Sequence, residues 1–138
     1  SPMPTQHLVV PARMKQVAEL CNLAAHAAKE AGFEPRQVYA CELAVGEACE
    51  NIIKHGYQGE SKGDLALTVR FKPGQITMTL KDTAPAFNPA AHPRMPPWDK
   101  EDPPVGGLGL LIIHRAMDQV QYQRLGSHNV LRMQKWNS

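Results

Sequence analysis

Between residues 59 and 63 the spacing of apolar side chains changes, and this change restricts the folds open to the chain. Before it, apolar residues return every three or four positions. Met14, Val17, Cys21, Ala24 and Ala28 form one run, and Val38, Cys41, Val45, Ala48, Cys49 and Ile52 form a second. That spacing puts each run on one face of an α-helix. After it the period is two. Leu65, Leu67, Val69 and Phe71 alternate with polar or small residues, and Ile76, Met78 and Leu80 do the same. Each of these runs reads as a strand with one buried face.

Local signals set the boundaries. A first helix is expected over 12–31, stopped by Gly32. A second starts near Pro35, a residue tolerated in a first helical turn, and runs to His55-Gly56. Pro73-Gly74 between the two alternating runs is a type II turn signal, so they form a hairpin. Leu8, Val9 and Val10 read as an edge strand before Pro11, preceded by a disordered start over 1–6. A third helix carries Leu108, Leu111, Ile112 and Ala116. A last hairpin follows over 120–124 and 130–135, with Gly126 in its turn. Paired strands with helices grouped apart argue for an α+β fold, with the helices on one face of a mostly antiparallel sheet. The 138 residues allow one domain, 1–138, with one core.

Composition excludes several classes. The formal charge is only +2, from 15 Lys plus Arg against 13 Asp plus Glu. The basic residues are dispersed, so no footprint for nucleic acid is present. No apolar run is long enough to span a bilayer, and the opening residues carry no charged and apolar pattern from which a signal peptide would be expected. Cys21, Cys41 and Cys49 form no CxxC pair and leave an odd thiol, which fits a reducing, cytoplasmic setting. The histidines show no metal-ligand spacing.

Three places carry polar residues with chemical potential. Glu47 and Asn51 lie four apart on the second helix, hence on one face, with His55 one turn further and Lys54 beside it. The Asn51 amide oxygen can ligate Mg²⁺, a hard cation that prefers oxygen. The Glu47 carboxylate can accept a proton from a hydroxyl. A solvated helix face explains the same pair. Asp82 ends the second strand of the first hairpin. It can accept a hydrogen bond from an exocyclic amine, or it can form a turn with its own backbone. Seven of the twelve prolines then fall between Pro85 and Pro104, and this aperiodic stretch, 83–105, is either a lid or disordered. Gly106-Gly107-Leu108-Gly109 closes it and opens a helix. Such a turn can cradle phosphate with free backbone amides, or serve as a hinge.

In combination the three places resemble a known family. Glu42-Leu-Ala-Val-Gly-Glu47-Ala-Cys-Glu-Asn51-Ile-Ile-Lys-His55-Gly-Tyr57 resembles the N box of the Bergerat-fold (GHKL) ATPases, and in particular the bacterial anti-sigma factor serine/threonine-protein kinases. Asp82-Thr-Ala-Pro-Ala-Phe87 looks like their adenine box, and residues 106–120 look like their second glycine box with its helix. The resemblance implies a two-layer α/β sandwich that binds ATP and Mg²⁺. Glu47 would be the catalytic base and Asn51 the Mg²⁺ ligand. Asp82, Ala84 and Phe87 would line the adenine site, with Asp82 on the amino group. Gly106, Gly107, Leu108, Gly109 and Leu110 would hold the phosphates, and 83–105 would be the ATP lid, with Arg94 or Lys100 reaching toward them. Ala84 and Ala86 stand where the family often has glycine, which implies weakened ATP binding.

The implied activity is phosphorylation of a small STAS-type anti-sigma factor antagonist. A sigma factor as second partner and a homodimer are further expectations. The alternative is a nucleotide-binding protein-docking module with little or no kinase turnover.

Overall fold

The computed structural model describes residues 3–91 and 108–137. The chain forms β1 (Thr5–Pro11), α1 (Met14–Glu30), α2 (Pro35–Asn51), a π-helical turn (Ile52–Gly56), β2 (Asp64–Lys72), β3 (Gln75–Asp82), α3 (Leu108–Ala116), β4 (Gln119–Leu125) and β5 (His128–Trp136). The five strands make one antiparallel sheet in the order β1-β2-β3-β5-β4. The described residues therefore show the α+β sandwich expected from the periodicity.

The alternation in the sequence is the alternation in burial. Leu65, Leu67, Val69 and Phe71 on β2, and Ile76, Met78 and Leu80 on β3, all turn to one buried face. α1 and α2 cover that face. Their contact is rich in small side chains: Ala24, Ala27 and Ala28 on α1, and Ala44 and Ala48 on α2, are all fully buried. Small residues let the two helices approach closely, and Leu20, Val45 and Ile52 fill the space toward the sheet. Cys41 and Cys49 are buried here as core thiols. Burial pushes the Cys41 thiol up to about 11 and Cys49 higher still, so neither is poised to react.

The turns obey their residues. Gly32 has φ +86° directly after α1, and Gly74 has φ +77° in the β2–β3 turn, where a type II turn needs a positive φ. Pro35 opens α2, and the Glu34 backbone N–H donates to the Gln37 side chain at 3.1 Å, closing one orphan donor of the first turn.

Two boundaries differ from expectation. The start is more ordered: Thr5 and Gln6 belong to β1, paired with Arg70 and Val69, because the edge of β2 is open to them. The second helix does not run as a regular α-helix to Gly56. Its last five residues widen into the π turn, a form found mostly as single turns and often at functional sites. Most of the expected lid, 92–105, lies outside the described residues, as do Gly106 and Gly107.

Candidate functional site

The site forms where the π turn meets the chain leaving β3. Glu47 and Asn51 lie on the last turns of α2, both half-buried. Four contacts tie this end of α2 to residues 83–90. The Asn51 side-chain amide donates to the Pro89 carbonyl at 3.1 Å. The rings of His55 and Phe87 lie 6.2 Å apart. Gly56 is buried so closely that an added Cβ would stand 3.3 Å from the Phe87 ring and 3.4 Å from the Ala84 methyl. The Tyr57 hydroxyl accepts from the Thr83 backbone N–H at 2.9 Å and donates to the Asp64 carbonyl at 2.7 Å. The helix α3 joins from the other side, where His114 Nε2 hydrogen-bonds the Ala90 carbonyl.

Asp82 is 3% exposed at the end of β3. Its Oδ1 accepts from the Ala84 backbone N–H at 2.9 Å and from the Asn129 side chain at 2.8 Å. The first of these is the local turn bond that the sequence also allowed, so Asp82 forms that turn. The turn uses only one carboxylate oxygen. Among the described residues nothing donates to Oδ2, which leaves it for a ligand's N–H. Burial pushes the Asp82 carboxyl up from its ordinary value. The Asn129 and Ala84 hydrogen bonds, with Arg124 and His128 nearby, pull it partly back.

Ala84 does not need the backbone freedom of glycine. Its φ is not positive, and its buried side chain lies against Gly56. Ala84 directly precedes Pro85, and alanine holds this backbone without a positive φ.

Glu47 sits beside a short run of charge. The exposed Lys54 is paired with Glu50 one turn before it. Partial burial raises the Glu47 carboxyl above its ordinary value. The neighbouring Glu50 adds to this and Lys54 opposes it. A raised carboxylate is a stronger base, which suits proton abstraction. The donor set fits the cofactors implied by the motifs. Asn51 anchors its amide nitrogen on Pro89, which leaves the amide oxygen as the hard ligand a Mg²⁺ would take. Asp82 Oδ2 offers an acceptor to an amino group. No group of three or more His, Cys, Asp or Glu among the described residues forms a metal cluster.

Of the residues singled out from sequence, Asn51, Asp82, Ala84 and Phe87 are brought to one end of the sandwich, and Glu47 lies one turn before Asn51 on α2, at the groove between α1 and α2. The side chains of Leu108, Gly109 and Leu110 and the whole of Gly106 and Gly107 lie outside the described residues, as do Arg94 and Lys100. Sequence reasoning missed Asn129. It lies in no motif, and the one signal that finds it is its register position opposite Asp82 across β3 and β5.

The sequence profile of the histidine kinase-like ATPase domain matches residues 10–135. The chain belongs to this family. As a histidine kinase-like ATPase domain it is also 28% identical, over 117 residues, to the proteins named serine-protein kinase RsbW from Bacillus mycoides (strain KBAB4) and Bacillus anthracis. Those matches take in 81% of this chain and 72% of each relative. Among solved structures, the RsbU and RsbW domains of a Mycobacterium tuberculosis protein superpose with a TM-score of 0.66 at 15% identity. That match covers 99% of this chain and 33% of the other, and it speaks for the fold. No helix among the described residues is long and apolar enough to cross a membrane.

Proposed function

We propose that this histidine kinase-like ATPase domain is a Mg-ATP-dependent protein serine/threonine kinase of the anti-sigma factor type. Its substrate would be a small STAS-type antagonist protein. The observation that carries the reading is the joining of the helix bearing Glu47 and Asn51 to the segment after Asp82. Contacts through Pro89, Phe87, Ala84 and Thr83 hold them together. In this reading Glu47 is the base, Asn51 the metal ligand and Asp82 the acceptor for an amino group. The kinase name of the RsbW relatives supports the reaction class.

In this reading Asp82 Oδ2 accepts from the base and fixes its orientation. Asn51, steadied on Pro89, would hold Mg²⁺ through its amide oxygen. Mg-ATP supplies the phosphoryl group and the charge neutralisation that its transfer needs. Glu47 takes the proton from an incoming serine or threonine hydroxyl. The glycines at 106, 107 and 109, with Leu108 and Leu110, hold the phosphates, and 83–105 acts as the lid. Phosphorylation adds about two negative charges to the partner and breaks one interface by repulsion and desolvation. A sigma factor as second partner and a homodimer belong to the same proposal.

The test is transfer of labelled phosphate from ATP to purified STAS-type proteins, with wild type and Glu47→Ala in parallel. Wild type should transfer and Glu47→Ala should fall by about 100-fold or more, while both bind ATP alike. The wild-type rate should drop as pH falls through the raised Glu47 pKa, since only the ionised carboxylate takes a proton. Equal transfer by Glu47→Ala would remove Glu47 as the base. Partner binding without turnover, unaffected by Glu47→Ala, would favour a nucleotide-binding docking module.

A further inference from the structure

Asn129 is 1% exposed and lies at the centre of a hydrogen-bond network that the catalytic reading does not use. Its amide nitrogen donates to Asp82 Oδ1 at 2.8 Å and shares its second hydrogen between the Ala84 and Pro85 carbonyls, each at 3.1 Å. Its oxygen accepts from the Phe87 backbone N–H at 3.0 Å, from Arg124 Nη1 at 3.2 Å and from the Tyr122 hydroxyl. Arg124 Nη1 also donates to the Ala84 carbonyl at 2.7 Å. Tyr122 and Arg124 stand on β4, and Asn129 stands on β5.

The orientation of the amide follows from its partners. A backbone N–H and a guanidinium can only donate, so the atom facing Phe87 and Arg124 is the amide oxygen. The NH₂ group therefore faces Asp82. Two donors, Asn129 Nδ2 and Ala84 N–H, then occupy Oδ1, and Oδ2 is left as an acceptor. A ligand edge with an N–H donor satisfies that oxygen, whereas a carbonyl oxygen meets a like dipole. A polar site of this kind rejects the wrong group strongly, because the mismatch leaves buried groups unpaired.

We infer that Asn129 is a positioning residue for base selection: held by Tyr122 and Arg124, it turns Asp82 so that the site takes a 6-aminopurine over a 6-oxopurine nucleotide. The inference rests on the nucleotide-binding reading above. Asn129, Tyr122 and Arg124 act through Asp82 and through the 84–87 backbone, so the edge strand β4 takes part in selection without touching the base.

The test compares ATP with ITP, which differ at the purine 6-position, by calorimetry on wild type, Asn129→Ala, Tyr122→Phe and Arg124→Gln. Thermal melts of the same samples report folding. Wild type should favour ATP. Asn129→Ala should weaken ATP by roughly tenfold and bring the ATP-to-ITP ratio toward one. Tyr122→Phe and Arg124→Gln, which leave the Asn129 contact to Asp82 in place, should lower that ratio a few-fold even if Asn129→Ala does not fold. A purely structural role would weaken both nucleotides together and leave the ratio unchanged, and folded variants with the wild-type ratio overturn the inference. Wild type that binds ATP and ITP equally overturns it too. Wild type that binds neither removes the nucleotide-binding reading and the inference with it.

Discussion

Asp82 keeps a carboxylate where burial disfavours its charge. A raised pKa in the folded state means that the folded protein holds this proton more tightly than the unfolded chain does. The stabilising contribution is complete below the ordinary aspartate value and is lost as pH rises through the raised folded value. At neutral pH the ionised group therefore works against the fold. Asp82→Asn separates this cost from function. Its carbonyl oxygen can still accept from Ala84 and Asn129, while an NH₂ replaces the acceptor at Oδ2. The variant should melt at or above the wild-type temperature at pH 7, and its advantage should shrink as pH falls. Its ATP affinity should drop by at least about tenfold. Thermal melts across pH and calorimetry with ATP check both parts. A variant that loses stability at pH 7 while keeping ATP would contradict this account of Asp82. The same residue shows where sequence reading stops. Both of its readings, as a turn former and as an acceptor, were visible at one position, and they are compatible because a carboxylate has two oxygens.

At the scale of elements, the join between the π turn and the end of β3 carries the site. Tyr57 is its pin, with its hydroxyl between Thr83 and Asp64. Gly63 makes room for the ring: an added Cβ would come within 2.5 Å of it. Gly63→Ala should therefore destabilise by about 1–3 kcal/mol through overpacking. Tyr57→Phe should cost about 1–3 kcal/mol by leaving the Thr83 N–H and the Asp64 carbonyl short of a partner. Denaturant midpoints measure both, and unchanged midpoints would show that the join is not held this way. Helix and strand periods were legible at Val17, Val45, Leu67 and Met78, because each amphipathic face records what it packs against. The π turn was not legible. Ile52 and Ile53 satisfy an α-helical pattern, and the contacts that Gly56 and Tyr57 make at the end of the turn join residues distant in sequence.

At the scale of the whole molecule, both hairpins were legible from their turns and alternation. Their order in the sheet was not. The order β1-β2-β3-β5-β4 pairs β3 with β5, and so places Asn129 opposite Asp82. That pairing joins residues 47 positions apart, and no local signal specifies it. The Glu47–Asn51 face and Asp82 could be found by spacing and by resemblance, but the network that orients Asp82 needed the topology. In the proposed reading this fold assembles a Mg-ATP site at the end of α2. The direct measurement is a calorimetric titration of the protein with ATP, with and without Mg²⁺, on wild type and Asn51→Ala. Wild type should bind ATP more tightly with Mg²⁺, and Asn51→Ala should lose the Mg²⁺ effect. No binding to wild type at millimolar ATP, or an undiminished Mg²⁺ effect in Asn51→Ala, would contradict that reading.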